Sequence, residues 1–222
     1  MSSEASRAAS NAYHHGDLRN ALISQGRSEL ETLGPNELSL RRLAKAVGVS
    51  SAASVRHFSD KAEFLAALAA DGFRELASIR RRIISTGGDS LTIAYRMMNA
   101  YVQFADAHKG VFALMVGPRI IDRDAYPELT QAANAGFADF AGAIATYAME
   151  CGWTAESLPF VSHGAWAMEH GLATLILGSR VPRSDVPVGV GPMVHFSITM
   201  FLQAIATGPA SLQKLLEATA RA

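Results

Sequence analysis

Between Ser39 and Lys61 the chain gathers residue types suited to holding a polyanion. Arg41, Arg42, Lys45, Arg56 and Lys61 stand against Asp60 alone, a net charge of +4. The hydroxyls of Ser39, Ser50, Ser51 and Ser54 and the imidazole of His57 are interleaved with them. Lys and Arg neutralise phosphates, while hydroxyls and the N–H groups at helix starts donate to them. An ordinary solvated basic face has the same charge, and on charge alone that alternative stays open.

Chemistry of other kinds lacks its groups. The seven histidines include no HExxH pattern and no Glu-x-x-His pair, and Glu169 and His170, being adjacent, point about 100° apart on a helix. There is no GxSxG, P-loop or GxGxxG. Neither an enzyme nor a bound metal or cofactor is expected. A single cysteine, Cys151, excludes an internal disulfide and fits a reducing compartment. Met1 to Asn11 has an acid and no apolar run, and the greasiest stretch, Val161 to Gly178, is interrupted by His163, Glu169 and His170. A cytoplasmic chain with no signal peptide and no membrane span is the expectation.

The elements that must position the basic residues are helical. Strand-like alternation is absent over more than a few positions. With 222 residues, 49% apolar and 18% charged, the chain has material for a large core and a lean surface. The net charge of +0 conceals a basic first part, residues 1–82 with 12 Lys+Arg and 9 Asp+Glu, and an acidic remainder. Residues 1–12, Ser/Ala-rich and polar, read as a flexible arm. Helices are expected at about 17–33, 40–47 and 51–58. A longer one opens at Asp60-x-x-Glu63, a capping-box pattern, and ends near Arg80-Arg81-Arg82, whose charges suit the negative end of a helix dipole. Gly87-Gly88-Asp89 marks the boundary between a basic domain at 13–82 and a larger apolar bundle at 90–222, with helices at about 90–108, 110–116, 127–151, 158–178, 191–207 and 209–221.

Two short helices separated by Gly48-Val49-Ser50 form a helix-turn-helix pattern. Ser39 is placed to cap the first. Ala44 is small where the helices cross, Gly48 supplies a positive φ, and Leu43, Val47 and Val49 make the miniature core. The second helix is short and polar, of the type that lies in a major groove. A helical hairpin inside any bundle is the alternative.

Here the residues carry a resemblance. Tyr13-His14-His15-Gly16-Asp17-Leu18-Arg19, Leu38-Ser39-Leu40-Arg41-Arg42-Leu43-Ala44, Gly48-Val49-Ser50, Arg56-His57-Phe58 and Asp60-Lys61 resemble the DNA-binding domain of the tetracycline-repressor (TetR) family of bacterial regulators over about residues 13–76. Trp166-x-x-x-His170-Gly171 resembles the Trp-His-Gly signature of one C-terminal subgroup. The resemblance implies an all-α homodimer, with a three-helix DNA-binding domain joined by a linking helix to a C-terminal bundle that takes a small molecule. Ser39, His57 and Lys61, with Arg41 nearby, would hold phosphates. Ser50, Ser51, Ala52, Ser54 and Arg56 would face base edges and groove walls. Ser54-Val55 stands where the family usually has a tyrosine that touches DNA, and Arg42 where it commonly has an acid. Tyr13 to Arg19 would lay a basic arm beside the duplex.

In the C-terminal half Gly164, Ala167, Gly171 and Gly178 recur on one side of a helix, suiting close approach of another helix. A dimer seam and intrachain packing both fit, and the resemblance favours the dimer. Tyr101, Phe104, Phe112, Met115, Tyr147, His163, Trp166 and His170 are the candidates for a pocket holding a small apolar effector. The expected function is a ligand-responsive repressor on double-stranded DNA with an inverted-repeat operator. A helical ligand-binding protein, or an architectural DNA-binding protein without ligand-controlled release, is the alternative.

Overall fold

The computed structural model describes the backbone of residues 2–117, 122–178 and 188–220, with side chains from Leu18 onward in the first helix. The described residues form ten α-helices and no strand: α1 Ser2–Leu33, α2 Leu40–Ala46, α3 Ser51–Val55, α4 Lys61–Thr86, α5 Ser90–Ala107, α6 Lys109–Val116, α7 Pro127–Glu150, α8 Leu158–Leu177, α9 Val190–Ala206 and α10 Pro209–Thr219, with one 3-10 turn at Arg123–Ala125. Of the expected connectors, Pro118 and most of 181–192 lie outside the described residues, as does the end of the last helix at Arg221.

Two elements are longer than their sequence suggested. Residues 2–12, expected as a flexible arm, continue α1 as helix; alanine and serine supply no breaker there, and Gly16 alone does not interrupt the ladder. Likewise α4 runs past Arg82 to Thr86. Its isoleucines at 83 and 84 and the serine at 85 continue the turn, and Gly87 (φ 75°) and Gly88 (φ 137°) end it.

The chain divides into two compact units, residues 1–73 with 108–132, and residues 74–107 with 133–222. The boundary expected at Gly87-Gly88 is instead a helix-to-helix turn within the second unit, and the division falls inside α4. Helix α6 joins the first unit for a physical reason. Glu31 on α1 accepts from the N–H of Gly110 (2.7 Å) and of Val111 (3.2 Å), satisfying the otherwise open donors at the start of α6. A side chain at Gly110 would come within 2.6 Å of the Leu30 carbonyl, so only glycine permits this approach.

In the first unit Leu22, Leu30, Leu43, Ala44, Phe58, Phe64, Leu68 and Phe112 are fully buried. The rings of Phe58 and Phe64 meet edge to face at 4.9 Å. In the second unit α5 packs chiefly on α8 and α9. Met97, Met98, Phe140, Ile144, Ala165 and Ile198 form the centre of its core. Two polar tips fasten this core to α9: Trp153 Nε1 donates to the Ile205 carbonyl at 2.8 Å, and the Tyr147 hydroxyl to the Leu202 carbonyl at 3.2 Å.

Candidate functional site

The helix-turn-helix is built as its residue types dictate. Gly48 takes φ 77°, the Val49 N–H returns to the Ala44 carbonyl at 2.9 Å, and Ala44 and Leu43 are wholly buried. Ser50 occupies the N-cap of α3, its hydroxyl accepting from the Ala53 N–H at 3.2 Å. Asp60 accepts from the Glu63 N–H at 2.8 Å while the Glu63 carboxylate accepts from the Ser59 N–H at 2.7 Å, a reciprocal cap that fixes where α4 begins.

Along α3 the candidate contact residues separate by face. Ser51, Ala52, Val55 and Arg56 are exposed, Val55 at 55%. Ser54 is not: it is 1% exposed and donates to the Ser51 carbonyl at 2.8 Å. The expected groove-facing role of Ser54 is therefore corrected, because its side chain is buried and its hydroxyl is bound to its own helix. Ser39 sits at the N-cap of α2 with no side-chain cap bond, so its exposed hydroxyl does not serve the helix as expected. Arg41 is exposed beside it, and His57 is half-buried. Lys61 donates to the Asn36 carbonyl at 2.6 Å, holding its ammonium against the turn after α1. Arg42 is tied to Glu29 on α1. The side chains of 13–17, in the expected basic arm, lie outside the described residues; Arg19 pairs with Glu128 at 3.2 Å and lies over the Phe58 ring.

The eight effector candidates do not form one group. Phe112 and Met115 are buried in the first unit on α6. In the second unit Phe104 is buried, and the Tyr147 hydroxyl is committed to the Leu202 carbonyl, with burial pushing its pKa up to about 12. His163 is exposed, bound to its own helix through the Pro159 carbonyl at 2.7 Å. Three candidates do converge. Tyr101 Oη and His170 Nδ1 are 3.0 Å apart, and Trp166 stacks on His170 with centroids 5.3 Å apart. Burial lowers the His170 pKa, favouring the neutral ring.

Beside them lies a pair that sequence reasoning missed. Arg80, on α4, donates from Nη2 to Glu169 Oε1 at 2.6 Å and from Nη1 to the Gly136 carbonyl at 3.3 Å. Its guanidinium stands over the rings of Phe140 (4.5 Å) and Tyr101 (5.4 Å). Arg80 is 3% and Glu169 0% exposed. Burial pushes the Glu169 carboxyl up to about 8, against the opposing pull of Arg80. The helix-dipole role expected for Arg80 is thus replaced by a buried ion pair, since α4 continues beyond it. The available signal was a lone acid inside the apolar stretch 161–178.

The glycine stripe on α8 also divides. A side chain at Gly164 would meet the Phe201 ring at 3.4 Å, so Gly164 packs within the chain. Ala167, Gly171 and Gly178 are exposed. On α8 and α9 Phe160, Leu175, Phe196 and Met200 are exposed as well, Phe160 at 82%. A cleft of about 400 Å³ between α8, α9 and α10 is lined by Trp153, Phe160, Gly164, Phe201 and Leu212 among others. A second, of about 360 Å³, has Tyr147 and Arg96 in its wall. Among the described residues no single helix is long and apolar enough to cross a membrane, and no group of acids, histidines or cysteines is arranged to hold a metal ion.

Comparison with known proteins gives two separate family matches. The family of bacterial regulatory proteins called tetR matches residues 22–68, and the tetracyclin repressor-like C-terminal domain matches residues 95–201. Among solved structures, a protein with unknown function from Rhodococcus sp. RHA1 is similar at 31% identity, over 88% of this chain and 98% of its own, with a TM-score of 0.75. The TetR family transcriptional regulator PfmR from Thermus thermophilus shares the fold at 16% identity, over 82% and 97% of the two chains, with a TM-score of 0.60. AmtR from Mycobacterium smegmatis shares it at 21% identity, over 86% and 87%, with a TM-score of 0.51. No curated protein matches the sequence.

Proposed function

The chain belongs to the tetR family of bacterial regulatory proteins, and from that premise we propose that it is a ligand-responsive repressor that binds an inverted-repeat operator as a homodimer. It is a DNA-binding transcriptional regulator with an all-helical fold.

The observation that carries the proposal is the division of α3 into an inner side, Ser54 with Phe58 beyond the helix, and an outer side of Ser51, Ala52, Val55 and Arg56. A short polar helix with its outer residues free of the fold suits a major groove. In this assignment Ser39, Arg41, His57 and Lys61 hold backbone phosphates and set the register. Ser51, Ala52, Val55 and Arg56 face the bases, and Ser50 serves the helix start. Phosphate contacts position and base contacts specify, so only the second group changes which sequence is preferred.

The exposed apolar side chains of α8 and α9, with Ala167 and Gly171 between them, support a dimer seam on those helices. Two-fold symmetry then calls for an inverted repeat. The cluster of Tyr101, Trp166 and His170 supports an effector site in the second unit, and a coupling of about 1–3 kcal/mol would change operator affinity roughly 5- to 150-fold. Selection of bound fragments from random duplex DNA tests the assignment. Recovery of an inverted repeat is the expected result, and recovery of unrelated fragments at equal affinity contradicts it.

A further inference from the structure

We propose that α10 is an arm that clasps the homodimer, the apolar cleft between α8, α9 and α10 being closed in the assembled protein by a second copy of this chain. This rests on the reading that α8 and α9 form a dimer seam, and it adds an element outside that seam.

Helix α10 is hard to account for within one chain. It has 11 residues, and among the described residues none of it is buried. An isolated helix shorter than about 12–15 residues is marginal in water, so one of this length depends on packing an apolar side. That side exists. Leu212, Leu215 and Leu216, at spacings of three and four, are all exposed, Leu215 at 59%. The position of the arm is built into the backbone before it. Gly208 takes φ 78°, its N–H donates to the Ile205 carbonyl at 3.0 Å, and Pro209 opens the helix. The axis thereby turns by 101° from α9 to α10. The arm stands off α9 and walls a cleft of about 400 Å³. It also lies beyond residues 95–201, the stretch of this half that matches the family, so the arm is additional to the matched domain.

The cleft itself says what covers it. Its polar side chains are Ser157 and Gln213, and no charged side chain lines it. A nucleic acid or a charged peptide finds nothing to pair with there. Two of its walls are the seam helices. Gly164, in the cleft, and Gly171, on the seam, are seven residues apart and so share one side of α8. On α9 the exposed Phe196 and Met200 lie two turns and one turn before Ala204, which lines the cleft. The apolar surface is therefore continuous from seam to cleft, and a second copy seated on the seam reaches the arm. Two-fold symmetry makes the contact reciprocal, each copy closing the cleft of the other.

The test compares the full chain with two variants by sedimentation equilibrium. One is truncated after Gly208, and the other carries Leu212→Gln, Leu215→Gln and Leu216→Gln. Neither loses a buried side chain, so both should melt cooperatively as the parent does. Both should weaken dimerisation by roughly tenfold or more. In a Trp166→Phe background Trp153 is the one indole left, and it lines the cleft. Its quenching by acrylamide should rise on dilution as dimers separate. Arm variants that dimerise like the parent, or a Trp153 equally accessible in monomer and dimer, would overturn the proposal. So would Nile red, a neutral apolar dye, quenching Trp153 once per chain in the parent dimer, since a small molecule would then occupy the cleft. Gly171→Leu, measured beside these, separates the arm from the seam. Dissociation by Gly171→Leu with the arm variants unaffected keeps the seam and contradicts the arm. Dissociation by the arm variants with Gly171→Leu unaffected does the reverse, and a parent that is monomeric at every concentration contradicts both.

Discussion

Arg42 grips the Glu29 carboxylate through both Nε (3.0 Å) and Nη2 (2.6 Å), so one of the five cations in the basic stretch is spent on holding α2 to α1. Burial raises the Glu29 pKa, and the Arg42 bonds outweigh it and hold the carboxylate below its ordinary value. Arg41, one position earlier, is exposed. The two neighbours should therefore behave differently. Arg41→Ala should weaken binding to every duplex and make the dependence on log salt shallower by about one unit, as the loss of one phosphate contact does. Arg42→Ala should leave the salt slope unchanged and cost about 1 kcal/mol of stability or less. Equal salt slopes for the two variants would show that Arg41 touches no phosphate.

Val55 stands outward at 55% exposure, where the family usually places a tyrosine. If valine merely forgoes a phosphate hydrogen bond, Val55→Tyr should tighten binding to operator and random duplex alike, by about 1 kcal/mol or less. Weaker binding, confined to the operator, would instead assign Val55 a contact with a particular base, such as a thymine methyl. Anisotropy titrations on both duplexes decide.

Gly171 has open space around it: a side chain there meets nothing within 4 Å. Gly171→Leu should thus leave the folded chain at least as stable, since leucine is the better helix former by roughly 0.8–1 kcal/mol. The same leucine should force the α8 seam apart. Sedimentation should report monomer for the variant and dimer for the parent; an unchanged sedimentation coefficient would place the seam elsewhere.

Stability should carry the imprint of Glu169. The folded chain holds its proton up to about pH 8, against an ordinary value of 4.5 for an exposed glutamate. Between those values the folded state binds more protons than the unfolded one, so stability falls as pH rises through that window. The contribution is fully present below pH 4.5 and lost above 8. Glu169→Gln should remove this dependence, the gap in melting temperature between variant and parent shifting in the variant's favour from about pH 5 to about pH 8. Parallel melting profiles across the range would mean that Glu169 titrates normally. Arg80→Ala leaves the protonated acid without its hydrogen-bond donor and should cost about 1–3 kcal/mol at neutral pH, whereas the double variant Arg80→Met with Glu169→Leu, which leaves neither polar group buried, should recover most of that.

Much of the fold is legible in local chemistry. Gly48 fixes a turn and the Asp60-x-x-Glu63 cap a helix start through their own backbone, so these positions follow from residue type, whereas Ser39, expected to cap α2, makes no cap bond, and Ser50, expected to face the bases, caps α3. Periodicity likewise places the helices of the second unit. What periodicity does not report is partnership. Nothing local says that Glu31 caps α6 from a distance of 79 residues, moving that helix into the first unit. Nor does residue type reveal that Ser54 turns inward while Ser51, three residues earlier, faces out. Arg80 reads as a dipole cation and Glu169 as a neighbour of His170 until folding joins them across 89 positions. The candidate pocket residues mislead for the same cause: Phe112 and Met115 have the right chemistry and belong to the other unit.

The central claim, that the outer side of α3 reads a DNA sequence, is tested most directly by Arg56→Ala, measured on the selected operator and on a random duplex at one salt concentration. The operator should lose roughly 1–3 kcal/mol of affinity, with preference relaxed at one base position of each half-site, while the random duplex loses markedly less. Equal losses on both duplexes would contradict base reading by Arg56 and leave α3 as a phosphate-binding surface without sequence preference of its own.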